Sequence, residues 1–497
     1  MELEIPSFPV LLSFFLFIFM VSKIWNKHYS TSSNLPPPPP GPWKLPLLGN
    51  IHHLLGHPPL HRLRDLAKTY GPVMSIQLGE LSAVVISSPD TAKQVLKTQD
   101  PIFADRPISL ATKILNYNGN DLVFGSYGDQ WRQLKKICIL ELLNAKRVQS
   151  FKSVREEEVS NFISSLYSKS GSPVNLTHML FAVSNSIMAR ISVGKNCENQ
   201  QHLMRVLDGI FEASGGFSVA DVFPSLKLVH LISGIKRKLQ RLHQEMDEIL
   251  EDIINEHRNR RIVQKSEADN LLDVLLHLQE NGNLQVPLSN DNIKGTILDM
   301  FAAGTDTTSK TAEWAISELV QNPEVMKKAQ EEVRRVFEEK GNVEEAGLEE
   351  LKFLKCVIKE TLRLHPALPL SARECREMSI VNGYTIYPKT KVLINIWAIG
   401  RDEKSWKEAE KFDPERFVDS SIDYKGSNPE LVPFGAGKRM CPGILLGTSN
   451  LQLFLANLLY HFDWKIHGDH FDMTEAYAGS LKRKFDLNLI PIPFHSD

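Results

Sequence analysis

Cysteine is scarce in this chain of 497 residues. The five present, Cys138, Cys197, Cys356, Cys375 and Cys441, are odd in number and scattered. That excludes a disulfide scaffold and suits a reducing compartment. No second cysteine or histidine stands near Cys441, which argues against zinc there. Neither charge sign is in excess: 57 Lys and Arg face 59 Asp and Glu, for a net charge of −2. A bulk basic surface for nucleic acid and a disordered acidic tail are both excluded. No Gly-x-Gly-x-x-Gly fingerprint follows a strand, so the chain carries no flavin or nicotinamide site of its own. Internal repeats are absent, and beyond residue 22 no hydrophobic stretch is long enough to span a bilayer.

The one long apolar run, Ile5 to Ser22, carries no charge. It is about long enough to cross a bilayer core of ~30 Å as a helix. Glu2 and Glu4 precede it and Lys23, Lys27 and His28 follow, which directs the remainder of the chain to the cytosolic side. A cleaved signal peptide wants a basic start and a small-residue cleavage site, and neither is present. Residues 1–25 are therefore predicted to be a single-pass anchor. Residues 26–46 form a basic flank and a hinge, LPPPPPGPWKLP, whose five prolines favour a stiff polyproline spacer.

Helical signals dominate the rest. Trp131–Leu143, Leu231–Arg261, Ser289–Val320 and Lys352–Leu364 read as helices, the third capped by Ser289 and ended by Asn322-Pro323. A hairpin is expected over Val73–Ser87 around Gly79-Glu80, with strands at Ser379–Ile386, Lys391–Ile396 and Phe485–Ile492. The fold class is mainly α with a small β subdomain.

The most informative segment is Pro433-Phe-Gly-Ala-Gly-Lys-Arg-Met-Cys-Pro-Gly443. A single thiolate in a glycine-rich loop suits a soft metal centre whose remaining ligands are not protein, such as haem iron. The spacing Phe434-x-x-Gly437-x-Arg439-x-Cys441-x-Gly443 is complete and resembles the haem loop of the cytochrome P-450 monooxygenases. The resemblance spans nearly the whole chain and implies one catalytic domain over 47–497, holding haem b (iron protoporphyrin IX). Its wording is similar to the plant A-type group (71 clan) that includes terpenoid hydroxylases.

The resemblance implies roles for further residues. Cys441 is the axial metal ligand, Phe434 and Gly437 shape its loop, and Arg439, Trp131, Arg132 and Arg373 serve the haem propionates. Ala303-Gly-Thr-Asp-Thr-Thr308 matches the oxygen-activation motif, so Asp306 and Thr307 become the proton relay. On a helix the Thr307 hydroxyl can bond back to the Ala303 carbonyl and open a kink. Glu360 and Arg363 share a helix face, and with Arg416 they match a charged structural triad. The stretches Ile102–Leu115, Met300–Thr307, Ala367–Ser371 and Ala478–Ser480 are expected to line a substrate pocket, Ala303, Ala367, Leu370, Ser371 and Gly479 among them. Ala372 departs from the proline that many plant members carry before the arginine. Lys135, Lys136 and Lys438 are expected near the surface that receives electrons.

The implied protein is a monooxygenase of the endoplasmic reticulum membrane with a cytosolic catalytic domain. It oxidises a lipophilic small molecule, a sesquiterpene or diterpene before an alkaloid or phenolic, with O2 and electrons from NADPH through NADPH-cytochrome P-450 reductase. The rival readings are a reductase-independent haem-thiolate isomerase or dehydratase and a non-catalytic haem sensor.

Overall fold

Ser289 starts the helix around which the molecule is arranged. Its hydroxyl accepts from the Asn292 amide at 3.1 Å, and the Asn292 side chain returns a bond to the Ser289 amide, forming a capping box. The helix then runs through Asn290–Gln321, 32 residues, or about 48 Å at 1.5 Å per residue. Asn322 ends it, and Pro323 begins the next helix, Pro323–Phe337. Ile293, Ile297, Phe301, Trp314 and Leu319 are buried along it. The helices Leu176–Val193 and Ile444–His461 pack against it and supply much of the main apolar core.

The computed structural model describes residues 35–494 apart from 57, 195–199, 216–217, 227–233, 264–269, 283 and 469–470. The anchor expected over 1–25, and residues 26–34 of the hinge, lie outside the described residues. Among the described residues no helix is long and apolar enough to cross a membrane. The described part of the hinge does not stand clear of the domain. The carbonyls of Pro36 and Pro37 accept from Thr385, that of Pro40 accepts from the Ser75 amide, and Asn50 Nδ2 donates to Pro42 and Trp43.

Beside the helices lies a four-stranded mixed sheet of β1 (Val73–Leu78), β2 (Leu81–Ile86), β3 (Leu370–Glu374) and β4 (Lys391–Asn395), in the order β1-β2-β4-β3. β1 and β2 are the expected hairpin, with Leu78 opposite Leu81. β2 and β4 pair in parallel, Ala83 opposite Lys391, and β3 returns antiparallel with Leu370 opposite Asn395. A second sheet joins Phe462–Ile466 to Asn488–Pro493. A hairpin of Glu475–Ala478 and Ser480–Arg483 turns at Gly479, where φ is +82°.

Several element boundaries differ from the sequence reading. The single strand expected at Ser379–Ile386 is two, Ser379–Val381 and Tyr384–Ile386. Asn382 and Gly383 both take positive φ, 50° and 80°, and make the two-residue turn that Asn-Gly favours. The Lys391 strand stops at Asn395 because that side chain accepts from the Ala398 amide and caps a helical turn. The last strand starts at Asn488, and Phe485 is exposed in the preceding loop. The amphipathic helix spans Ile235–Val263, while residues 231–233 lie outside the described set. The helix expected at Trp131–Leu143 runs from Asp129 to Cys138 and widens into a π-turn over Ile139–Leu143. Lys352–Leu364 is helical with the expected bounds.

Glu360, Arg363 and Arg416 come together in the structure. Arg363 Nε and Nη2 grip the Glu360 carboxylate at 2.7 and 2.8 Å, and both side chains are fully buried. Arg416 Nε and the Asp413 amide donate to Glu360 Oε1 at 3.0 and 2.7 Å. The remaining Arg363 N–H groups reach the carbonyls of Gly400, Ala409 and Lys411.

Candidate active site

The loop Pro433–Gly443 ends where the Ile444–His461 helix begins, and it is held by local bonds. The Cys441 amide donates to the Phe434 carbonyl at 3.0 Å, closing the loop on itself. Phe434 meets Tyr424 edge-on with ring centroids 5.4 Å apart. Gly437 has φ +71°, and a Cβ there would lie 2.1 Å from the Leu96 carbonyl oxygen and 2.6 Å from Asp100 Oδ2. That aspartate oxygen accepts from the Lys438 amide at 2.6 Å. Replacing Gly437 with alanine is therefore expected to cost at least ~2 kcal/mol through backbone strain and collision. A urea-unfolding midpoint equal to that of the parent would refute this reading of the glycine.

Cys441 has exposed surface, and that surface faces an internal cavity. Burial pushes its thiol up, while the Gly443 amide and the Lys135 charge act the other way. The cavity together with its mouth to solvent takes in about 1510 Å³ of non-atom space.

Three arginines, the buried Arg373 and Arg439 and the half-buried Arg106, line the same cavity. Arg439 Nε donates to the Ala104 carbonyl at 2.6 Å and Nη2 to that of Gly125, with the guanidinium 4.1 Å from the centre of the Trp131 ring. Arg106 Nη1 donates to the Ala372 carbonyl at 2.8 Å, and Arg373 Nη1 to Ser371 Oγ at 3.1 Å. Arg106 Nε and Arg439 Nη1 are buried without a partner among the described residues. Burial lowers Arg106 to about 10, an effect that Asp121 opposes. Arg439 is lowered to about 9 by burial first and then by the Arg106 charge. Arg373 is pushed well down by burial and by both neighbouring guanidiniums. Three crowded cations, two of them with an orphaned N–H group, call for an anionic ligand. A flat macrocycle carrying two carboxylates at one edge and a metal for the cysteine fits this donor set.

The opposite chemical partner comes from the central helix. Ala303, Gly304, Thr307 and Thr308 line the cavity. The Thr307 hydroxyl donates to the Ala303 carbonyl at 2.6 Å, as the spacing predicted. The segment stays α-helical throughout, so the expected opening of the ladder is not seen. Gly304 has a different use. A Cβ on it would lie 2.5 Å from the Met188 sulfur, so the glycine lets the Leu176–Val193 helix approach closely. Asp306 is buried and ion-paired with Lys310, and it is not among the residues lining the cavity.

Other residues are placed differently from the sequence reading. Trp131 lines the cavity, but its indole N–H already donates to the Leu122 carbonyl at 2.8 Å. Arg132 turns to solvent, pairs with Asp129 and lies over Tyr127. Neighbouring positions on a helix do not share a face, so a buried Trp131 directs Arg132 outward. The burial of Trp131, Leu134 and Cys138 on one face is a periodic signal that foreshadows this. Arg106 occupies the cavity instead; it falls in the stretch Ile102–Leu115 expected to line the pocket, but the sequence reading gave it no part in anion binding.

Ala303, Ala367 and Ser371 line the cavity, whereas Leu370 and Gly479 do not. Leu370 packs toward Leu60 and Trp397, and Gly479 lies against Gly215. Leu122, Val123, Met188 and Ile396 are lining residues that were missed. Lys135 is not a plain surface lysine: its ammonium donates to the carbonyls of Lys438 and Met440 within the cysteine loop.

The family model described as Cytochrome P450 matches residues 38–488. The chain is 61% identical over 502 residues to cytochrome P450 726A27 of Euphorbia lathyris, covering 100% of this chain and 99% of that one. It is 49% identical to premnaspirodiene oxygenase of Hyoscyamus muticus, covering 98% of this chain and 99% of that one. A solved zebra fish cytochrome P450 with abiraterone superposes with a TM-score of 0.76 at 23% identity, covering 89% of this chain and 100% of that one, a likeness that shows the fold. The sequence, the cavity and these relatives agree: the chain belongs to the cytochrome P450 family and is a monooxygenase of haem-thiolate, dioxygen-dependent chemistry.

Proposed function

We propose that this protein inserts one oxygen atom into a C–H bond of a terpenoid, a sesquiterpene or diterpene. The observation that carries the reading is a single cavity shared by Cys441, three arginines and residues of the Ala303–Thr308 segment. The rest of its lining is mostly apolar, including Leu122, Val123, Met188, Met300 and Ile396. Such a wall offers a hydrocarbon contact but few directional bonds. The name of premnaspirodiene oxygenase supports a terpenoid in particular.

In this reading Cys441 would bind the haem iron through its thiolate, and Arg106, Arg373 and Arg439 would hold the propionates. When bound, haem with a thiolate ligand supplies the reductive cleavage of dioxygen. The protein contributes the remainder. The apolar wall excludes water and orients the substrate. Thr307 holds a hydroxyl in the cavity, and Asp306, one position before it, is the acid that renews the proton. Electrons come from NADPH through a separate reductase, a reading supported by the lack of a nucleotide-binding fingerprint in this chain. Lys136 and Lys438 are exposed for such a partner. The charge-free run Ile5–Ser22 supports a single-pass anchor in the endoplasmic reticulum, with residues 47–497 as the cytosolic catalytic domain.

The test is incubation of the holoprotein with reductase, NADPH and a panel of sesquiterpene and diterpene hydrocarbons that includes premnaspirodiene. The expected product carries one oxygen atom from isotopically labelled dioxygen and requires NADPH. Product formed without NADPH, or oxygen taken from water, would sink the monooxygenase reading. Turnover of alkaloids or phenolics alone would sink the terpenoid one.

A further inference from the structure

One acid interrupts the cavity wall. Asp299 stands on the central helix four residues before Ala303 and eight before Thr307, so the three share a face, and all three line the cavity. Among the described residues Asp299 is the only carboxyl of that lining, and it is 4% exposed. Its Oδ2 accepts from the amides of Leu122 and Val123 at 2.7 and 3.0 Å. Its Oδ1 has no hydrogen-bond partner among the described residues. The loop comes this close because of Gly295, one turn earlier, where a Cβ would lie 3.1 Å from the Asn120 carbonyl oxygen and from the Asp121 Cβ. Asp121 Oδ1 accepts in turn from the amides of Phe124 and Gly125 at 2.6 and 3.0 Å. Two buried carboxyls thus take four successive amides. The buried Cys138 thiol also faces Asp299 and brings it no positive charge.

We propose that Asp299 is a specificity-determining residue whose Oδ1 hydroxyl donates a hydrogen bond to an oxygen atom that the terpenoid already carries. The inference rests on the terpenoid reading above and narrows it to oxygenated substrates: alcohols, ethers or ketones. Two buried carboxyls this close do not both ionise. Asp121 keeps the charge, because the Arg439 and Arg106 guanidiniums act on it. Burial first, and then the Asp121 charge, push Asp299 well up. With both amides on Oδ2, that atom is the carbonyl oxygen and the proton sits on Oδ1, the atom without a partner. A buried hydroxyl that finds no acceptor is costly. A hydrocarbon cannot satisfy it, whereas an ether, ketone or alcohol oxygen does. Along the helix axis the anchor is about 6 Å from Ala303 and about 12 Å from Thr307. The oxygen already present and the carbon attacked therefore lie at separate places on the substrate. A prior oxygenation of the hydrocarbon must supply such a molecule.

The experiment compares the parent, D299N and D299L as holoproteins. The first readout is the infrared spectrum of protein labelled with carbon-13 aspartate, at neutral pH. The parent is expected to show a protonated-carboxyl band that both variants lack. The second readout is titration of the haem spin state with three probes of one skeleton. These are farnesene, farnesyl methyl ether, which only accepts hydrogen bonds, and farnesyltrimethylammonium, a cation that cannot ligate iron. The ether is expected to shift the carboxyl band of the parent, to bind it roughly ten-fold more tightly than farnesene does, and to lose that margin in D299L. D299N should restore the margin, because its amide oxygen accepts from Leu122 and Val123 while its Nδ2 donates to the ether. If D299L does not take up haem, the ether margin in the parent and the band lost in D299N still decide. An ether that binds no more tightly than farnesene, or a spectrum in which D299N removes no band, overturns the anchor and leaves the terpenoid reading to the product assay above. Tightest binding of the ammonium probe, lost in D299N, would show an ionised Asp299 that recognises amines, and would overturn the terpenoid reading together with the anchor.

Discussion

Replacing Cys441 with serine is expected to abolish the carbon monoxide difference band of the haem-thiolate form, and product formation with it. Serine nearly matches cysteine in size, so the cavity wall and the Cys441 amide bond to Phe434 should persist. What changes is the ligand atom. A thiolate is soft and donates density to the metal, whereas an alcohol is hard and stays protonated near neutral pH. The protein already assists the sulfur: the Gly443 amide and the Lys135 ammonium oppose the effect of burial. Neither compensates for a hydroxyl in that place. Circular dichroism of the variant should match the parent, which separates ligand loss from unfolding. An unchanged difference spectrum would show that another group binds the metal, and the site assignment would fail.

Arg363→Ala should be the most destabilising single change outside that loop. The guanidinium has five N–H donors, and all five are engaged: two on Glu360 and three on the carbonyls of Gly400, Ala409 and Lys411. Removing it strands a fully buried carboxylate with only Arg416 and the Asp413 amide as partners. Breaking a buried pair in this way costs about 3–5 kcal/mol. A domain is commonly stable by only about 5–15 kcal/mol. Lysine is expected to rescue only part, because three donors cannot serve five acceptors and each orphan costs ~1–3 kcal/mol. Urea unfolding followed by circular dichroism measures the loss. A variant within ~1 kcal/mol of the parent would mean that the network is solvated and stabilises little.

The parts of the site that could be read from the sequence share one property: their meaning is local. Cys441 and its glycines lie within eleven consecutive residues whose spacing defines a loop. Glu360 and Arg363 are three apart on a helix, so their contact follows from helical geometry. Ser289 with Asn292 announces a helix start in the same way. The Asn382-Gly383 turn was equally local and was passed over in favour of one longer strand, although the dipeptide itself carries the signal.

What failed to be legible depends on which face of an element meets a distant one. Arg132 and Arg106 exchange places because helix rotation directs one to solvent, while the chain around Ala104 brings the other beside Arg439. Lys135 was read as surface charge, yet the loop 303 residues away supplies its carbonyl partners.

The sequence by itself determined the cysteine loop, the long capped helix, the Glu360–Arg363 pair and the family, since each rests on residues within a few turns of one another. Only the tertiary structure decided that Arg106 completes the arginine cluster, that Asp306 is turned toward Lys310, and that Glu475 gathers His61, His365 and Trp397 from across the chain. His61 and Glu475 stand 414 positions apart. Such contacts arise from burying many elements in one core at once, and the desolvation that makes them strong has no counterpart in any short stretch of sequence.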